Sequence, residues 1–552
     1  MSTDATRLPL GSTLVVKRKS ALRRARLAPL PASWVAAAGG TALAGILVLS
    51  TLIVLIANDR ASFLSPPSHA GFPGWMSGPL GHLLPGVDPS RTVLQWGFSL
   101  AVVFMFVLYV VMLICARRIN TRWAIVAVVL LHVVFFLSAP LPLTDVFNYI
   151  NYGRMGVVHH LNPYATIPSV EPHTDPAFIY SNWHHLLSPY GPLFTLFTYA
   201  LAPLGVPAGY WVLKASLMLA SLGGLALVWR CARLLGRAPL PAFLFVGANP
   251  LMLVWGLGGD HNDFFMVLFM MLAFYLLLSS DGLRRRMGIS DAPVELPAGA
   301  AGPPQTAGSG AAGPPQAAQR EDAAPAATSE AARPAGRAGW SARWRGPGLW
   351  RDLGAGGALA CVVAIKASGG ILLPVVLAGA ARRWRLLAGM VIGGMVLAVA
   401  TAVAFGAYLP NLAEQSKLVT GVGLPNLLGY ALGLGGEDAT LSAMLNVILI
   451  LAVAGASVYA WRSRAWLPAA AIAMLALLLT LSWELPWYVF WLLPLAALAR
   501  ARWLRVAALM VSLYLILAWI PIVSDLIHGL NFRPTATPLG EQHSRLTKTL
   551  LH

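Results

Sequence analysis

Hydrophobic residues in this chain run in long blocks, and short polar clusters separate them. The first block extends from Trp34 to Ala57, and others follow at 92–115, 121–138, 209–229, 240–257, 263–280, 386–406, 441–460, 466–482, 486–499 and 503–523. Many approach the roughly 20 residues that a helix needs to cross about 30 Å of hydrocarbon. The pattern predicts an all-α, polytopic integral membrane protein, a bundle of about 11–13 transmembrane helices. Two stretches are ambiguous. Residues 192–204 are apolar but short for a span, and 354–380 is interrupted at Lys366-Ala367-Ser368-Gly369-Gly370.

The cations settle both. Lys and Arg gather on the cytoplasmic side of membrane proteins. If 192–204 does not cross and 354–380 is a hairpin of two short helices turning at Lys366, six basic clusters join the basic N-tail inside. These are Arg117/Arg118/Arg122, Arg230/Arg233/Arg237, Arg284–Arg286, Arg382/Arg383/Arg385, Arg462/Arg464 and Arg500/Arg502/Arg505. If 354–380 is one ordinary span, every later cluster falls outside. The hairpin is therefore the expected arrangement.

The resulting order is a basic cytoplasmic N-tail (1–33) and a first transmembrane half (34–281) with an extracytoplasmic loop at 139–191. A linker (282–350), a second transmembrane half (351–525) and a C-terminal tail (526–552) follow. The linker is rich in Ala, Gly, Pro and Gln without apolar periodicity, which predicts a disordered cytoplasmic segment. The first block is too long for the apolar core of a signal peptide, so it reads as a retained helix.

Composition narrows the function classes. The chain has 552 residues, 57% hydrophobic and 11% charged, against about 25% charged in a soluble domain. The net charge of +18 sits at the ends of apolar blocks, where it encodes topology, so no nucleic-acid partner is expected and membrane lipid is. The three cysteines, Cys115, Cys231 and Cys361, have no metal-site or disulfide spacing. No metal and no cofactor are expected, and neither a Walker A motif nor a dinucleotide-binding glycine pattern is present.

Four polar constellations reach the expected outer face. In the 139–191 loop, Asp145 follows the third block closely, with Asn148, Tyr149 and Arg154 at helical spacing behind it. Asn162 and Tyr164 come next, and then Tyr190. A carboxylate at a membrane surface can serve as a general base, because partial desolvation raises its pKa. A helix-cap role fits Asp145 too. The second constellation is Gly258-Gly259-Asp260-His261-Asn262-Asp263, where ionisable groups at a membrane boundary are costly unless used; capping of the next helix is the alternative. The third is Lys366, suited to a phosphate or to snorkelling. The fourth is Ser482-Trp483-Glu484-Leu485-Pro486-Trp487-Tyr488, where the aromatics also fit an interfacial belt.

These residues resemble the GT-C membrane glycosyltransferases that use polyprenyl-phosphate sugars, and most closely the actinobacterial polyprenol-phosphomannose-dependent α-1,6-mannosyltransferases of lipomannan and lipoarabinomannan synthesis. The resemblance is carried by Asp145-Val146-Phe147-Asn148-Tyr149, Leu161-Asn162-Pro163-Tyr164, Ser188-Pro189-Tyr190-Gly191-Pro192, His261-Asn262-Asp263, Lys366-Ala367-Ser368 and Trp483 to Tyr488. It implies a plasma-membrane enzyme with a cytoplasmic N-terminus and an extracytoplasmic active site. The implied reaction passes a mannosyl residue from a polyprenyl-phosphate donor to a mannan or glycolipid acceptor with inversion. It implies Asp145 as the base and Lys366 as a phosphate-stabilising cation. His261, Asn262, Asp263 and Glu484 would position substrate, and Asn148, Tyr149, Arg154, Asn162, Tyr164, Tyr190, Trp487 and Tyr488 complete the expected binding set. Another sugar fits the same residues. A transporter or lipid flippase would instead place its ionisable groups near the bilayer midplane.

Overall fold

The computed structural model describes residues 31–65, 72–81, 83, 90–142, 145–286, 347–529 and 532–551. The expected N-tail, 1–33, falls almost wholly outside them, as does most of the 282–350 linker. Among the described residues there are helices and no strands, apart from one isolated bridge between Ser62 and Ser65. An apolar chain in hydrocarbon must satisfy its backbone within the segment, and helices do so. Among the described residues, seven helical stretches are long and apolar enough to cross a membrane, and four apolar helices of 10–17 residues accompany them.

In the first half, α1 (Ala32–Asp59), α2 (Arg91–Cys115) and α3 (Thr121–Phe136) precede a short helix, α4 (Asp145–Val157). Next come α5 (Pro192–Leu201), α6 (Gly205–Leu234), α7 (Pro239–Gly247) and α8 (Asp263–Arg286). In the second half are α9 (Leu349–Ile365), α10 (Leu372–Gly379), α11 (Arg383–Phe405), α12 (Ala439–Ser463) and α13 (Trp466–Thr480). The chain then runs through α14 (Leu493–Leu498) and α15 (Arg502–Trp519) to α16 (Pro538–Leu551).

The path through Lys366 follows from two contacts. Helices α9 and α11 run in the same direction, packed through glycines. A Cβ on Gly389 would stand 2.1 Å from the Leu353 carbonyl oxygen, and one on Gly393, a turn further along α11, 2.8 Å from Cα of Gly357, a turn further along α9. Two consecutive parallel helices need a return between them. The 3₁₀ turn Ala367–Ile371 and α10 supply it. Asp352, at the start of α9, accepts a 2.6 Å hydrogen bond from Arg382 Nε just after α10. The chain therefore goes out along α9, turns at Lys366 and comes back. Residues 192–204 stay at the Lys366 end. The Gly191 N–H donates to the Ile365 carbonyl at 3.0 Å, Tyr199 packs on Phe405 at 5.2 Å, and Gly205, at φ +75°, turns the chain into α6.

Two expected spans differ from the sequence reading. The 240–257 block ends its helix at Gly247 and resumes as a π-helical turn, Met252–Leu257. Asn249-Pro250 intervenes, where proline removes a donor. The 486–499 block starts as a 3₁₀ helix, Pro486–Trp491, and continues as α14. All residues of both segments are buried, and irregular backbone is tolerated at membrane depth only where protein covers it. Part of the expected C-terminal tail is the helix α16.

Candidate functional site

Asp145 occupies the first turn of α4, where the helix dipole favours a negative charge. One turn later, Asn148 donates from Nδ2 to Asp145 Oδ1 at 3.2 Å and to Asn182 Oδ1 at 2.7 Å. Its own Oδ1 accepts from the backbone N–H groups of Asn182 and Trp183. Asn148 thus fixes the 182–183 segment to the carboxylate. The Asp145 carboxyl is pushed up to about 6 by burial, against the opposing pull of Lys366 and hydrogen bonds from Trp183 and Asn148.

His261 arrives on the turn between the π-helical segment and α8, and Asp263 opens α8. His261 Nδ1 lies 3.7 Å from Asp145 Oδ2 and 3.4 Å from the Tyr149 hydroxyl. Its ring stacks on Trp487 at 3.6 Å. Burial, aided by Lys366, holds it well below the usual imidazole range, so it is neutral at pH 7. Asp263 is fully buried and accepts Lys366 Nζ at 2.8 and 3.0 Å and Trp491 Nε1 at 2.5 Å. The Lys366 ammonium lies over the rings of Tyr488 (4.6 Å) and Trp491 (5.1 Å). Two of its three protons go to Asp263, which leaves one for a ligand.

These groups border a cavity of about 590 Å³. Of the expected residues, Asp145, Tyr149, Tyr190, Lys366, Trp487 and Tyr488 line it. Asn148, His261, Asn262 and Asp263 are buried around it. The others lie elsewhere. Arg154 pairs with Asp175 at 2.8 Å. Burial alone would raise the Asp175 carboxyl, but hydrogen bonds from Arg154, the Ala177 N–H and His159 hold it below its usual range. Asn162 donates to the Phe405 carbonyl at 2.7 Å, and the Tyr164 hydroxyl donates to the Tyr190 carbonyl at 2.8 Å. Glu484, pushed up to about 7 by burial, accepts the Leu424 N–H at 3.1 Å. These four side chains brace the loops that frame the cavity.

The sequence reading passed over Lys214, in the middle of α6. Its ammonium is buried and donates to the Ser138 carbonyl at 2.7 Å and to Asp260 Oδ2 at 3.1 Å. Asp260, at φ +55°, directly precedes His261. Lys214 therefore ties the segment entering α4 to the turn that carries His261. An ionisable residue inside an apolar block is itself the signal that could have found it. Asn182, Trp183 and Trp491 also border the cavity and resemble any other loop residue in the sequence. Among the described residues no three His, Cys, Asp or Glu side chains gather as a metal site. The arrangement puts a carboxyl with a pKa of about 6 and a cation held against aromatic rings on the wall of one cavity.

Residues of three expected basic clusters lie at the end of the bundle away from Lys366. Arg382 meets Asp352 there, Arg464 donates to the Ala380 carbonyl at 3.1 Å and Arg505 donates to that of Ala499 at 3.0 Å.

Comparison with known proteins gives the family. Residues 29–303 match a family described as alpha-(1->6)-mannopyranosyltransferase, N-terminal domain. Residues 419–536 match the MptB C-terminal domain. Alpha-(1->6)-mannopyranosyltransferase A of Mycobacterium tuberculosis is 34% identical over 138 residues, 24% of this chain and 26% of that one. The similarity thus spans about a quarter of the relative's length. No solved structure matches. The chain belongs to the MptA/MptB family of alpha-(1->6)-mannopyranosyltransferases.

Proposed function

We propose that the protein transfers a mannosyl residue from a polyprenyl-phosphate donor to a hydroxyl of a mannan or glycolipid acceptor, on the extracytoplasmic face and with inversion. The supporting observation is Asp145, held near pKa 6 on the wall of a cavity that also contains Lys366. In this reading the Asp145 carboxylate takes the proton of the acceptor hydroxyl as its oxygen attacks C1. The bond from C1 to the phosphate oxygen breaks, and its electron pair leaves with the lipid phosphate as a stable anion. That leaving group needs little protonation, so one base suffices. The remaining proton of the Lys366 ammonium faces the charge that develops there. Neutral His261 adds no competing cation beside Asp145.

The extracytoplasmic assignment is supported by the basic clusters at the end opposite Asp145, since Lys and Arg mark the cytoplasmic side. The test is incubation of membranes containing the protein with labelled polyprenyl-phosphomannose and a short α-mannoside. Label should appear in a lengthened mannoside, and no transfer by a well-expressed protein would overturn the reading.

A further inference from the structure

The cavity has two unlike ends. One is built from membrane-spanning helices, with Leu449 of α12 and Leu477 of α13 on its wall. Helix α12 presents Val447, Ile448 and Leu451 outward, each more than half exposed, as a lipid-facing helix does. The other end is built from segments that do not span. Asn182 and Trp183 come from the 139–191 loop, Gln415 and Ser416 from the segment after α11, Trp483 from the turn after α13, and Thr547 from α16.

Helix α16 is fastened over this second end. The backbone N–H groups of His185 and His184 donate to the carbonyls of Leu550 and Leu551 at 3.1 and 3.4 Å. Leu550 packs with Leu186 and Leu418 in a small apolar cluster, against which Trp183, Trp483 and Leu546 rest. The opposite face carries the exposed pair Glu541 and Arg545. Asp145 lies toward the same end, because Asn148 donates both to its carboxylate and to the Asn182 side chain.

This division sorts the two substrates. An isoprenoid chain stays in hydrocarbon and fits the end bounded by membrane-spanning helices. A saccharide needs flat apolar faces for its ring carbons and amide or hydroxyl groups for its oxygens. The indoles of Trp183 and Trp483 and the side chains of Asn182, Gln415, Ser416 and Thr547 offer both. We propose that this non-spanning end, closed by α16, is the acceptor subsite, binding the terminal units of a mannoside with the attacking hydroxyl turned to Asp145. The proposal rests on the transferase reading and adds to it which residues recognise the acceptor.

The test titrates the purified full-length chain with α-1,6-mannobiose by calorimetry, without donor. Gln415→Ala, on a surface loop, and Trp483→Ala should each weaken binding about tenfold, the loss of roughly one good contact. Arg545→Ala, on the outer face of α16, should leave binding unchanged. In transfer assays Gln415→Ala should raise the acceptor KM with the donor KM within about twofold. Undiminished mannobiose binding in both Gln415→Ala and Trp483→Ala, no binding by the wild type, or a raised donor KM in place of the acceptor KM overturns the subsite. Binding is read without turnover, so the two proposals fail separately. A wild type that binds mannobiose but transfers nothing refutes the transferase reading alone.

Discussion

Helix α11 and the segment 486–498 are both strongly apolar, and they could hardly be built more differently. Helix α11 is one unbroken run of 23 residues, and Val396, Val399 and Val403 on it are at least 64% exposed. Segment 486–498 is a 3₁₀ turn joined to a six-residue helix, and all its residues are buried. A backbone that faces lipid has no hydrogen-bond partners except its own, so it must stay regular. A backbone wrapped in protein can bend, and there Trp487, Tyr488 and Trp491 are brought against His261, Lys366 and Asp263. The cavity proposed for the chemistry sits where the helices break.

One helix tests this contrast against itself. Gly389 of α11 faces α9 at backbone distance, whereas a Cβ at Gly394 meets nothing within 4 Å. Gly389→Val should therefore cost more than about 4 kcal/mol, as severe overpacking does, and the protein should fail to assemble. Gly394→Val should stay within about 0.5 kcal/mol. Size-exclusion profiles of the two variants in detergent, before and after heating, would separate them.

The Lys366–Asp263 pair on the cavity wall comes next. Asp263→Ala leaves the Lys366 ammonium without its carboxylate and should destabilise the protein by about 1–3 kcal/mol, less than for a fully buried pair because Lys366 borders the cavity. The double variant Asp263→Leu with Lys366→Met removes both charges. It should recover most of the stability without recovering transfer, and thermal unfolding alongside an activity assay would show this. A double variant as active as the wild type would mean that the pair serves the fold alone.

A smaller effect concerns pH. Asp145 acts as a base only when deprotonated, and burial holds its pKa near 6. Transfer should therefore fall about tenfold per unit as pH drops below 6. Lys366 lowers that pKa. The residual activity of Lys366→Met should accordingly show its acid limb at higher pH than the wild type. A limb that stays in place would mean that the titrating group is not Asp145.

Much of this was legible in the sequence, and the physical reason differs by feature. Spanning blocks are legible because hydrocarbon tolerates almost no charge. The out-and-back path at Lys366 was legible because the later basic clusters, Arg462/Arg464 among them, fit one side only with a return there. The breaks at Asn249-Pro250 and Pro486 were less so, since a buried broken helix and a continuous one share the same apolar run. Pairings across large separations, Lys366 with Asp263 or Lys214 with Asp260, leave no local pattern. Arg154, Asn162, Tyr164 and Glu484 lie in loops beside the cavity, and bracing a loop and binding a ligand use the same polar side chains, so the sequence does not separate the two roles. Nothing in the composition of the C-terminal segment showed that α16 would fold back over the cavity.

The central claim is that Asp145 is the base, and Asp145→Asn tests it most directly. Asn keeps the size of the side chain and serves nearly as well at a helix start. Transfer from labelled polyprenyl-phosphomannose to a short mannoside should fall by about two to four orders of magnitude, with the protein still folded and still binding donor. Near-normal transfer by a correctly inserted Asp145→Asn would contradict the account.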